Sequence, residues 1–178
     1  MTVHIYADET KENGFVLAAA MVPASRAAEL RALIQSLKLP RQRRIHFTTE
    51  KPERREMILE KLIKTGAIET LIMDARRIEN PIAARRAAVG QLADEAVRVG
   101  AVLLRLEPDG PAVVTDKQTI FERLQRAGCA ETVSYSHIAA VSESLLAVPD
   151  AVAWCYGKGG KWLRHAEPLI GKVITLGG

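Results

Sequence analysis

Three widely separated stretches of the chain carry acids in positions where they could do chemistry. Asp8 and Glu9 close an alternating segment near the N-terminus, Glu107 and Asp109 follow the apolar run Ala101 to Leu106, and Asp150 interrupts the otherwise apolar Leu145 to Tyr156. Acids at strand ends matter because a hard divalent cation takes several oxygen ligands, and a sheet brings residues remote in sequence side by side. Each acid also has a plain structural reading. Asp8 and Glu9 precede a turn, where carboxylates bond to nearby backbone amides, and Glu107-Pro108-Asp109-Gly110 is turn-like throughout. Asp150 after Pro149 falls in the first turn of a helix, where a carboxylate interacts well with the helix dipole. Taken one at a time, the residues leave both readings open.

The elements that would position these acids follow from periodicity. Thr2 to Glu9 alternates, with Val3, Ile5 and Ala7 on one side and His4, Tyr6 and Asp8 on the other, as a strand does. Lys11 to Gly14 is polar and ends in glycine before the apolar run Phe15 to Val22, which predicts an antiparallel hairpin. Ser25 can cap a helix bearing Leu30, Leu33, Ile34 and Leu37, stopped by Pro40. A short strand is expected around Arg44 to Phe47, then a helix from Pro52 with Ile58, Leu59, Leu62 and Ile63 on one side, ended by Gly66. Ala67 to Ala75 reads as a strand, Asn80 and Pro81 open a helix to about Val99, and Ala101 to Leu106 is a strand again. Strand, helix, strand in that order implies a parallel crossover. Thr115 with Gln118 forms a capping box for a helix through Ile120, Phe121 and Leu124, closed by Gly128. Thr132 to Ile138 reads as a further short strand. The last helix starts near Pro149 and breaks at Gly157, Gly159 and Gly160. A hairpin followed by alternating helices and strands is an α/β fold with a mixed sheet, and no repeat or linker divides the 178 residues, so residues 1–178 are expected to form a single domain.

Composition narrows the function classes. The two cysteines, Cys129 and Cys155, have no partner at a metal-ligand or redox spacing, which argues against a disulfide framework or a zinc site and fits a reducing cytoplasm. No uncharged apolar run reaches the roughly 18 residues of a membrane span, and Met1 to Tyr6 lacks a basic leader. A net charge of +4 favours a polyanionic partner without demanding one. Arg41, Arg43, Arg44, Lys51, Arg54 and Arg55 gather around His46, joined by Arg85 and Arg86, and could track a phosphate backbone. Balanced by Glu50, Glu53 and Glu56, they could equally form a solvated face. His46 and His137 are either proton carriers or hydrogen-bonded structural histidines. Asp116 is expected to start a helix and interact with its dipole, and Asp74 to face solvent or pair with an arginine. Trp154 and Trp162 read as core, with base stacking as the alternative.

Asp8-Glu9-Thr10 and Val148-Pro149-Asp150-Ala151-Val152-Ala153-Trp154-Cys155 together resemble two motifs of a group of uncharacterised bacterial proteins, common in actinobacteria, with a ribonuclease H-like fold. His46 with Glu50, Leu106-Glu107 with Asp109, Tyr135 with His137, and Gly159-Gly160 before Trp162 resemble the same pattern, so the likeness spans nearly the whole chain. Thr10 stands where the group usually has serine, and Gly110 where it has a second aspartate. The resemblance implies a ribonuclease H-like mixed sheet flanked by helices, with Asp8, Glu107 and Asp150 as three ligands of Mg²⁺ or Mn²⁺. Glu9, Glu50, Asp109 and Glu143 are the candidates for a fourth. Enzymes of this fold usually hold two such ions roughly 4 Å apart for phosphodiester hydrolysis. The resemblance therefore implies a metal-dependent nuclease or related phosphodiesterase acting on nucleic acid. The alternative is a catalytically silent domain of the same fold that binds nucleic acid or a protein partner.

Overall fold

A computed structural model describes all 178 residues. Six strands form one sheet in the order β5-β4-β1-β2-β3-β6. The alternating N-terminal segment is β1 (Val3–Thr10), and it turns back as β2 (Val16–Pro23) in antiparallel register, Asp8 opposite Ala18. Beyond β2 lie β3 (Glu69–Asp74), antiparallel to it, and the edge strand β6 (Ile170–Thr175), parallel to β3. On the other side of β1 come β4 (Ala101–Leu106) and the short edge strand β5 (Ser134–His137), both parallel to it. Only β2 runs against the rest, so β3 and β4 point the same way, as a crossover requires.

The two periods of β1 and β2 feed two cores. Tyr6, Ala18 and Ala20 face one layer with α1 (Ala27–Leu37), α2 (Pro52–Lys64) and α5 (Ala147–Lys158). Ile5, Ala7, Leu17 and Ala19 face the other, against α3 (Pro81–Arg98) and α4 (Val113–Arg126). Because both faces are covered, β2 is almost wholly apolar, with nothing of the polar alternation a solvated face would show. A short α6 (Gly160–Ala166) follows α5 after Gly159, whose φ of 68° and ψ of −161° lie in a region open essentially to glycine alone.

The structure departs from the sequence expectations at several local points. Arg44 to Phe47 forms no strand: the segment runs into a 3-10 turn at Phe47–Thr49, and the Phe47 amide is taken by the Asp150 carboxylate at 2.8 Å, so it has no strand neighbour to bond. Ser25 lies inside a 3-10 turn, Ala24–Arg26, and does not cap α1. The Thr115/Gln118 box is likewise unused, because α4 continues directly from a 3-10 turn at Gly110–Ala112 and begins at Val113, placing Thr115 inside the helix. Asn80 does cap α3, its Oδ1 accepting from the Ala83 amide at 2.9 Å, with Pro81 next.

Candidate carboxylate site

Side-chain alternation decides which acids meet. Asp8 follows Tyr6 onto the face covered by α5, while Glu9 points to the face covered by α3. The Glu107 amide donates to the Ala7 carbonyl at 3.1 Å, which extends the β1–β4 pairing by one residue and sets Glu107 beside Asp8. Asp150 arrives from above on α5. That helix packs close to the end of β1: a Cβ at Gly157 would stand 3.3 Å from Thr10 Cγ2. Asp8, Glu9, Glu107 and Asp150 thus line one cavity of about 310 Å³, with Thr10, Lys11, Arg44, His46, Thr48 and Trp154 as its other walls.

Most of the carboxylate oxygens here lack cationic partners. Asp8 Oδ1 accepts only its neighbour's amide, from Glu9 at 2.8 Å, and Asp150 Oδ2 accepts from the Phe47 amide. His46 Nε2 stands 3.9 Å from Asp150 Oδ1. Glu9 Oε2 and Glu107 Oε2 are buried and bond to nothing in the protein. Burial together with the charges of Asp150, Glu9 and Glu107 pushes the Asp8 carboxyl from its ordinary 3.8 up to about 9. Burial also raises Asp150, against the Phe47 amide and the positive charges of His46 and Arg44, and raises Glu107 against Arg44. Like charges and desolvation both oppose joint ionisation of these acids, an opposition that a bound cation would relieve. The donor set, hard carboxylate oxygens with free lone pairs, fits a divalent ion of the Mg²⁺ or Mn²⁺ type. In this apo arrangement no three or more acidic, histidine or cysteine side chains are drawn together as a finished ligand set.

The remaining acids singled out in the sequence lie elsewhere or hold other partners. Asp109 is not among the residues that line this cavity; it is 2.5 Å from Lys11 Nζ and 3.3 Å from Arg85 Nη1. Glu50 is buried away from the cavity, bonded to Arg54 Nε at 2.6 Å and to Gln42. Glu143 is buried between Arg31 and Arg105, at 2.9 and 2.5 Å. Asp74 pairs with Arg76 and accepts from the Tyr156 hydroxyl.

Asp116 falls in the first turn of α4, as expected, but it also has side-chain partners there. It is buried and accepts both Arg85 Nε and Nη2, at 2.9 and 2.7 Å, while His137 Nε2 bonds to it at 3.0 Å. The same arginine reaches Glu9 Oε1 at 3.1 Å. Arg85 therefore fixes Glu9 by one oxygen and leaves the other free at the cavity. Nothing in the local sequence announces this network, because its members come from four elements, β1, α3, α4 and β5, and each looks alone like a surface residue. Trp154 is buried, as expected of a core residue, yet it also walls the cavity, with the Arg55 guanidinium 4.0 Å and Lys158 Nζ 5.5 Å from its ring centre.

No known protein family matches the sequence, and no curated protein does. Among solved structures, the chain is similar to one in the "Structure of the PCNA:RNase HII complex from Archaeoglobus fulgidus", with a TM-score of 0.55 and 17% identity over 86% of this chain and 70% of that one. At that identity the likeness speaks for the fold, and together with the mixed six-stranded sheet it identifies this chain as an α/β protein of ribonuclease H-like arrangement.

Proposed function

We propose that this chain is a divalent-cation-dependent hydrolase of phosphodiester bonds that acts on nucleic acid, with Asp8, Glu107 and Asp150 as the cation ligands and Glu9 as the fourth acid. The observation that carries this reading is the pair of buried, unpartnered carboxylate oxygens, Glu9 Oε2 and Glu107 Oε2, in two residues that line the cavity shared by Asp8 and Asp150. Buried polar atoms are nearly always satisfied, and two such oxygens in neighbouring acids of one site are best explained by a ligand that completes them. Bound there, Mg²⁺ or Mn²⁺ would activate a water and stabilise the leaving oxygen. The protein's own cations do the rest. Lys11, Arg44 and His46 at the cavity wall attract and orient the phosphate, and His46, beside Asp150, is placed to carry a proton. Arg55 and Lys158 against Trp154 extend the positive rim along α5.

The likeness to the uncharacterised bacterial group supports the same assignment of Asp8, Glu107 and Asp150, and a cytoplasmic protein of one domain is the setting that goes with it. No helix is long and apolar enough to cross a membrane. A silent binding domain is the second reading, favoured by the spacing of the acids, no three of which are drawn together as one ligand group. The test is cleavage of single-stranded or structured nucleic acid in Mn²⁺ by wild type and by Asp8→Asn. Asn keeps the shape of Asp and removes the charge that holds the cation, so cleavage should fall on the order of 100-fold or more. A wild type inert on DNA, RNA and nucleotides alike, or an Asp8→Asn variant as active as wild type, selects the silent domain.

A further inference from the structure

A second cavity of about 460 Å³ adjoins the carboxylate site, and Lys11 lines both. Its apolar walls include Phe15, Ile78, Pro81, Ile82 and Ala112, from the loop before β2 and the starts of α3 and α4. Arg86, Glu79 and Thr115 supply polar edges and take no part in the Arg85 network. The partition between the cavities is only side chains thick. Lys11 Nζ bonds Asp109 Oδ2 at 2.5 Å, and Arg85 Nη1 holds Glu9 Oε1 at 3.1 Å and Asp109 Oδ2 at 3.3 Å. With Arg85 itself only 8% exposed, that wall is fixed from behind by Asp116.

The lining restricts the occupant. The acids Glu79, Asp109 and Asp116 match the cations Lys11, Arg85 and Arg86 in number, and Lys11 and Arg85 are already engaged by Asp109 and Asp116, so the lining has no net positive charge to hold a phosphate group. An aliphatic chain would strip water from Arg86, Glu79 and Thr115 and return no hydrogen bond. A flat group with apolar faces and both donors and acceptors around its edge satisfies walls and rim together, and a cavity of this size is ordinary for such a ligand. We propose that the second cavity takes the base of the nucleotide flanking the phosphodiester held at Asp8, Glu107 and Asp150. The substrate is then single-stranded nucleic acid, or a nucleotide turned out of a duplex, since a base stacked in a helix cannot enter a pocket. This rests on the reading of the carboxylate site as a phosphodiesterase centre.

Binding without turnover tests it. The metal-free full chain is titrated calorimetrically with adenosine 5′-monophosphate and with ribose 5-phosphate, which lacks the base. Wild type should bind the nucleotide at least about tenfold more tightly. Ala112→Trp, which fills the cavity from a partly exposed position, should abolish that preference. Ile82→Trp, at the exposed rim, should reduce it and carries the test if Ala112→Trp fails to fold. Equal affinity for both ligands, or a preference that survives in the folded Trp variants, overturns the proposal. Asp8→Asn should retain the preference, so loss of cleavage and loss of base binding report separately on the two sites.

Discussion

Two sets of buried acids lie within one small fold, and they are treated oppositely. Glu143 is clamped by Arg31 and Arg105, and Asp116 by Arg85 and His137. Burial alone would raise both carboxyls, yet the hydrogen bonds from Arg31 to Glu143, and from His137 and Arg85 to Asp116, outweigh it and hold them below their ordinary values. Asp8 is buried too, with Glu107 and Asp150 half-buried beside it, and no arginine clamps any of the three; burial raises them all, reinforced by the charges of Asp150, Glu9 and Glu107 at Asp8, of Glu9 and Asp150 at Glu107, and of Glu9 at Asp150. A buried charge that is paired inside the fold stabilises it or is neutral, whereas one left unpaired opposes folding unless something from outside binds. The contrast separates acids that serve the scaffold from acids poised for a ligand.

The largest expected effect lies on the scaffold side. Asp116→Ala leaves the buried Arg85 guanidinium with Glu9 and Asp109 alone, and should lower unfolding free energy by about 3 kcal/mol in urea titrations, the lower end of what breaking a buried pair brings. A loss within about 0.5 kcal/mol would erase the distinction between the two sets. Next comes the cation. Mn²⁺ at about 100 times its dissociation constant should stabilise wild type by roughly 2.7 kcal/mol, read as a higher Tm. The rise should vanish in Glu107→Gln and persist in Glu50→Gln.

Acid titration gives the third contrast, and the signs are opposite. Asp8 has a folded pKa of about 9 against an ordinary 3.8, so without metal its contribution turns unfavourable as pH rises through 3.8 and keeps worsening until about 9. Asp116 and Glu143, lowered by their partners, add stability above their ordinary 3.8 and 4.5 that disappears as pH falls below those values. Asp8→Asn should therefore match or exceed wild type by about 1 kcal/mol at pH 8 and flatten the neutral-range slope. A metal-free wild type more stable than Asp8→Asn at pH 8 contradicts the unpaired state of Asp8. The smallest effect belongs to His46, which is 39% exposed and 3.9 Å from Asp150: His46→Ala should change stability by no more than about 0.5 kcal/mol.

The hairpin, the parallel strands and the major helices were legible because each carries its own period or stop signal, as Asn80-Pro81 does for α3. The edge strand β6 was not, since Gly171 and Lys172 interrupt its apolar residues and most of it stays solvated. Phe47 misled because its partner is a side chain from the far end of the chain, and a strand signal cannot report that. The acids Asp8, Glu107 and Asp150 stood out by position and by resemblance. Glu50 and Glu143, candidates only for a fourth position, lie apart from them, because whether a carboxylate meets an arginine is decided by tertiary packing. Arg85, which fixes Glu9, was visible only as one of a pair of adjacent arginines.

The unpaired cluster is tested most directly by a crystal soaked in Mn²⁺ and measured at the manganese edge. One or two anomalous peaks between the carboxylates of Asp8, Glu107 and Asp150 are predicted, with Glu9 Oε2 or Glu107 Oε2 turned toward them. A soaked crystal without manganese in that cavity, while its carboxylates remain ordered and unpartnered, would contradict the assignment.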